Sequence, residues 1–141
     1  MDAGKRKGTE AVTKEKIDEL LRFLTLFEKP SRKFVKKWEG DDENGFNVIP
    51  HPVYFDDVRQ FFRLAAQPCW SDYGYLKKKP GKMIKDSKNI ENANLDEIKT
   101  MLTYCVRGER FCDGFWERML RSGQVVAVLK RLRTLRNQQK F

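Results

Sequence analysis

A chain of 141 residues that is 40% hydrophobic and 12% aromatic can bury one core without a disulfide or a structural metal, so disorder is excluded. Three cysteines make an odd set, no apolar run nears the ~20 residues of a membrane span, and nothing at Met1 resembles a signal segment, so a cytoplasmic protein with reduced thiols and no membrane partner is expected. The formal charge of +9 is concentrated in residues 76–88, where six Lys face Asp86, and in residues 130–141, where Lys130, Arg131, Arg133, Arg136 and Lys140 meet no acid; such a field favours anionic partners and says nothing about fold.

Residues 1–13 read as a flexible basic tail, 14–136 as a single helical domain and 137–141 as a flexible end. Thr13 gives half a capping signal, since Lys16 stands where a capping box has Glu or Gln. Ile17, Leu20, Leu21, Leu24 and Phe27 then recur at helical spacing, predicting a first helix to about Glu28, stopped by Pro30. Phe34, Val35 and Trp38 suggest a short helical turn or irregular packing, and DDENG at 41–45 a surface turn. After Pro50 and Pro52, which bracket His51, the stripe Tyr54, Val58, Phe61, Phe62 and Ala65 predicts a second helix that Pro68 ends.

Residues 69–92, with Trp70, Tyr73, Tyr75 and a lysine-rich Pro-Gly turn, read as a long loop holding at most a short helix near 81–87. Asn94 with Glu97 three residues on marks a capped start, and Leu95, Ile98, Met101, Leu102 and Cys105 carry the stripe as far as Gly108, a left-handed C-terminal residue. Asp113 is expected to cap a helix bearing Phe115, Met119 and Leu120 that closes at Ser122-Gly123. A last helix places Val125, Val128, Leu129, Leu132 and Leu135 on one side. With no alternating segments to build a sheet, the expected fold is all-α: a single compact bundle of about five helices with one long irregular loop.

The stretch YCVRGERFCDGFWERMLRSG, residues 104–123, holds the chemistry worth weighing. Zinc is disfavoured because Cys105 and Cys112 have six residues between them where structural pairs have two to four, and His51 is the only histidine. A phosphate-binding thiolate needs five residues between Cys and Arg; Cys105 and Arg110 have four, at a helix C-terminus whose partial charge repels an anion. A Cys–His nucleophile has only His51 to draw on. The plain reading is two thiols packed in the core, Cys105 on its stripe and Cys112 beneath Phe111. Arg107 and Arg110 then serve a helix end, Arg110 reaching Asp113 and Glu117. The rival is an anion pocket of Arg107, Arg110 and Arg118, usable by an enzyme with an anionic substrate. No metal and no cofactor is expected. Residues 115–136 also have the helix, glycine turn, helix shape of a nucleic-acid reader, with Lys77, Lys78, Lys79 and Lys82 in the loop and Lys130 and Arg131 on the last helix as phosphate contacts.

The same stretch, continued through QVVAVLKRL, resembles a small, mainly bacterial family known as domain of unknown function 6508. The likeness extends upstream through LAAQPCWSDYGY at 64–75 and LDEIKTMLTYC at 95–105, so it covers roughly residues 17–132. The resemblance brings no established activity. It carries over Arg107, Arg110, Phe111, Cys112, Asp113 and Gly114, with Trp70, Asp72 and Tyr73 upstream. Similar sequences tend to have His where this chain has Phe115, and many a His or other polar residue where it has Gln124, which argues against a histidine site here. The implied arrangement sets the 70–75 loop against the 107–114 corner as a shallow pocket of Arg107, Arg110, Asp113, Asp72 and Tyr73. Trp70 forms its floor, and Asp72 pairs with Arg107 or Arg110. The expected function is a non-enzymatic helical interaction module that self-associates or binds a protein, with nucleic-acid binding as the alternative.

Overall fold

The computed structural model describes residues 10–40 and 50–141 of the chain. It is mostly helical, with helices α1 (Lys14–Leu21), α2 (Leu24–Phe27), α3 (Asp56–Ala65), α4 (Pro80–Lys85), α5 (Ser87–Glu91), α6 (Leu95–Gly108), α7 (Phe115–Arg121) and α8 (Gln124–Asn137). Two strands, β1 (Val35–Glu39) and β2 (His51–Tyr54), form an antiparallel pair between α2 and α3. The expectation of an all-α bundle of about five helices is corrected twice: by that pair, and by eight helices among the described residues, because the first predicted helix breaks in two and the predicted loop holds two more. The DDENG turn and most of the predicted N-terminal tail lie outside the described residues.

The strands escape sequence reading for physical reasons. In β1 only Val35 is buried, so no alternation of apolar and polar residues exists to signal a strand. The three-residue spacing of Val35 and Trp38 imitates a helical turn instead. The register jumps between Val35 and Lys37, so an irregularity breaks the period further. On β2, Pro52 sits opposite Trp38 in a pair that has only edges, where a missing N–H is tolerated. Tyr54, expected on the next helix, is the last strand residue, and α3 starts two residues later with Asp56 and Asp57 in its first turn.

The helix ends follow their capping chemistry. The Thr13 hydroxyl accepts from the Lys16 N–H at 3.2 Å, so the half signal suffices for α1. The first helix breaks at Arg22 and Phe23 and resumes as α2, instead of running on to Glu28. Asn94 and Glu97 form a full capping box at 2.8 and 2.9 Å, and α6 runs as read from the sequence. The long loop over 69–92 is corrected more heavily: it folds as 3-10 turns at Pro68–Trp70 and Tyr75–Lys78, then α4 and α5. Elements of three to six residues are too short to show helical periodicity.

One hydrophobic core ties these elements together. Phe23, Phe27, Phe34, Phe61 and Phe62 meet ring to ring at 5.1–5.9 Å where α1, α2 and α3 converge. Helix α8 packs against α1, α2, α5, α6 and α7, which is why five of its residues are fully or almost fully buried. Arg136 of α8 also grips Asp18 of α1 through two hydrogen bonds of 2.6 and 3.1 Å. Arg32 does the same for the segment before β1, donating to both oxygens of Asp57 at 2.7 and 2.6 Å while lying over the rings of Phe27, Phe34 and Phe55. No helix among the described residues is long and apolar enough to cross a membrane.

Candidate functional site

The corner between α6 and α7 is built around a residue that the sequence reading passed over, Glu109. One oxygen of its carboxylate accepts from the Tyr54 hydroxyl and from the Trp116 N–H, both at 2.8 Å. The other accepts from the Gly114 N–H at 2.9 Å. The Tyr54 hydroxyl in turn accepts from the Glu117 N–H at 3.3 Å, so β2 is stitched to the start of α7. Glu109 thus satisfies backbone donors that a helix start leaves open, and Asp113, the expected cap, does not. Gly114 takes the capping position with φ of 89°, a left-handed geometry that suits glycine. Burial pushes the Tyr54 phenol far above its usual range, and the neighbouring Glu109 charge adds to the shift.

Gly108 is corrected too. It is the last residue of α6 with ordinary helical geometry, and the left-handed residues at this corner are Gly114 and, after α7, Gly123. Its smallness serves close packing: a Cβ there would stand 2.2 Å from the Phe115 ring. Phe115 is buried at 5% exposure, meets the Tyr104 ring at 5.3 Å and carries the Arg118 guanidinium over its face at 4.8 Å. Position 115 in this chain is therefore a core position.

The thiols divide. Cys69 and Cys105 are buried, and burial raises both pKa values, that of Cys105 to about 12, far from a usable thiolate. Cys112 is exposed and so is Phe111, at 82%, so the expectation that Cys112 packs beneath Phe111 is overturned. The loop closes through backbone bonds from Phe111 and Cys112 to the Gly108 carbonyl at 3.1 and 3.0 Å, which turn both side chains outward. Among the described residues no group of three metal-ligating side chains comes together.

The predicted pocket is partly assembled and differently wired. The 70–75 loop does reach the corner, because the Arg107 guanidinium lies over the rings of Tyr73 and Tyr75 at 5.7 and 5.5 Å. Asp72, expected to pair with Arg107 or Arg110, instead accepts from Lys78 at 2.8 Å, from the Thr100 hydroxyl at 2.7 Å and from the Gly74 N–H at 3.0 Å. Burial works to raise its carboxyl, and those three donors outweigh it, holding the pKa below the usual carboxylate value. Trp70 cannot floor an open pocket: it is fully buried, and its indole N–H lacks a partner among the described residues. The expected Arg110 ion pair with Asp113 or Glu117 is replaced by a contact of Arg121 with Glu117 at 3.8 Å.

Where the corner opens, it opens toward α3. A cavity of about 490 Å³ is lined by Arg59, Phe62 and Arg63 of α3 and Ala66 just after it, together with Val106, Glu109, Arg110 and Trp116. A smaller hollow of about 120 Å³ beside it shares Ala66, Val106 and Arg110 and reaches Tyr73, Thr103 and Arg107. Arg59 and Arg63 were missed in the sequence because α3 was read for its core stripe alone. Their four-residue spacing, with Phe62 and Ala66 at the third and seventh positions from Arg59, was the available signal. Of the predicted phosphate contacts, Lys78 is held by Asp72, Lys130 pairs with Glu28 at 2.9 Å, and Arg131 donates to the Ala93 carbonyl at 2.8 Å. Lys77, Lys79 and Lys82 are exposed, with no ion pair among the described residues.

No curated protein and no solved structure showed similarity to the chain. A family model does match, over residues 12–138, which takes in every element described above. The chain belongs to that family, described as a family of unknown function (DUF6508).

Proposed function

We propose that this protein is a non-enzymatic interaction module that docks a protein partner on the 109–114 corner and the face beside it. The observation that carries the reading is Phe111, a large aromatic held 82% exposed on a loop whose two ends are tied down by Glu109. Trp38 at 48% and Tyr73 at 49% add exposed rings on β1 and the 70–75 loop. Trp38 stands close against the corner, 3.1 Å from where a Cβ of Gly114 would be. Single exposed hydrophobics are ordinary. A firmly anchored loop presenting one is the arrangement that makes an anchor residue, because little ordering entropy remains to be lost on binding. Cys69 and Cys105 are buried with raised pKa values, so neither offers a thiolate to the corner.

The test is site-specific photocrosslinking. With p-benzoylphenylalanine at position 111, irradiation of the cells that make the protein should give a discrete protein adduct, absent when the probe replaces exposed Lys140. Adducts to nucleic acid, or none above the Lys140 control, overturn the reading. Nucleic-acid binding through Lys77, Lys79 and Lys82 is the second reading, favoured by the exposure of those three side chains. It calls for a steep loss of affinity with salt, a log–log slope near −0.9 per phosphate contact on duplex DNA.

A further inference from the structure

We infer that the groove between α3 and the end of α6 binds an acidic peptide segment, seating one bulky apolar side chain between arginines; the inference rests on the interaction-module reading and names the partner's chemistry. Arg59, Phe62 and Arg63 on α3 and Ala66 at its C-cap lie at successive helical offsets, so the helix presents two guanidiniums along one apolar strip. Val106, Arg107 and Arg110 repeat the pattern on the opposing wall. The floor is apolar and rigid: Phe62 and Trp116 stack at 4.3 Å and 6°.

Among the described residues the cationic charge of this groove exceeds the acidic charge beside it. Among the described residues Glu109 is the only acid lining it, and both its oxygens are already engaged by Tyr54, Gly114 and Trp116, so its one negative charge is turned toward the corner's own donors. Arg59 is paired with Asp56. Arg107 rests on tyrosine rings, which leaves its charge in place. Arg63 and Arg110 are exposed and make no ion pair among the described residues, whereas Arg32 and Arg136 elsewhere in the fold are each held by a carboxylate. The guanidiniums of Arg63, Arg107 and Arg110 have no carboxylate partner among the described residues and repel one another around the apolar slot, and carboxylates arriving from outside would relieve that repulsion while making two-point hydrogen bonds. From Arg59 to Ala66 the wall is ~10 Å long, the span of about three extended residues. That fits one apolar side chain with a carboxylate on either side. Nucleic acid fits the arginines and not the floor: base stacking needs an open ring face, and Trp116 is stacked on Phe62 and meets the Tyr54 ring at 5.2 Å.

The experiment is fluorescence anisotropy with a fluorescein-labelled peptide of nine residues, a central Leu flanked on each side by four Asp or Glu. Saturable binding is expected, weakened at least ten-fold by Arg63→Glu combined with Arg110→Glu, and at least five-fold when Ser replaces the peptide's Leu. Lys77→Glu with Lys79→Glu should leave it within two-fold. Both groove arginines are exposed, and a circular dichroism melt confirms that the variant folds. Absence of peptide binding, equal loss in the lysine variant, or tighter binding of a nine-residue oligothymidylate overturns the inference. Repeating the position-111 crosslink in the Arg63→Glu, Arg110→Glu variant separates the two claims. A protein adduct that persists undiminished sinks the groove and spares the module, whereas no protein adduct in the unaltered protein sinks the module itself.

Discussion

Removing the Glu109 carboxylate tests whether the corner is held as described. Glu109→Ala strands three donors at once, the Tyr54 hydroxyl and the N–H groups of Gly114 and Trp116, which now sit 2.8–2.9 Å from its oxygens. A hydrogen bond to a charged group contributes ~1.5–3 kcal/mol. The site is half-buried, so water recovers part of the loss, and the expected destabilisation is about 3 kcal/mol rather than the sum of three such terms. Glu109→Gln keeps one acceptor oxygen for Tyr54 and Trp116 but sets an amide N–H₂ against the Gly114 N–H, and should cost about half as much. Guanidinium denaturation at constant m-value measures both, and hydrogen exchange locates the effect at the amides of Gly114, Trp116 and Glu117. A loss under ~0.5 kcal/mol for Glu109→Ala, the range of an ordinary surface substitution, with those amides still protected would refute the clamp.

Gly108→Ala should destabilise by ~2–3 kcal/mol, at the upper end for overpacking, because Phe115 is buried and cannot yield; thermal denaturation checks it, and the companion Phe115→Leu change should recover part of the loss. Stability should fall as pH rises above ~10: Tyr54 has a raised pKa in the fold, so the unfolded chain releases that proton first, and Tyr54→Phe should flatten this alkaline limb in urea titrations. On the acid side, the hydrogen bonds from Arg32 hold the Asp57 carboxyl below its unfolded value. Its contribution is complete above ~4 and lost as pH falls further, so Asp57→Asn should remove part of the acid-limb slope.

The long helices were legible because their signals are local. The stripe of α6 with the Asn94–Glu97 box and the leucine stripe of α8 each settle an element without reference to the rest of the chain. The strand pair was not legible, since its residues face water on nearly every side and its stability comes from partners far along the chain. The same division holds at the candidate site. The 104–116 stretch stood out by composition, but its wiring depends on Tyr54, fifty-five residues before Glu109, and on two arginines of α3. Asp72 was misassigned for the same reason: charge alone made Arg107 its natural partner, and only the path of the 72–78 turn brings Lys78 nearer. An acid that serves as a backbone acceptor looks, in sequence, like any other surface charge.

The four residues Arg110 to Asp113 are exposed, and among the described residues no side-chain ion pair there reaches back to the body, while the positions on either side are anchored. Such a segment is an interchangeable tip on a fixed mount: its letters can be rewritten without disturbing the frame that displays them. Cys112 is also the one solvent-facing thiol of the chain's three, so a single thiol-directed dye or tether would land there, beside the slot a ligand would fill, with no prior engineering.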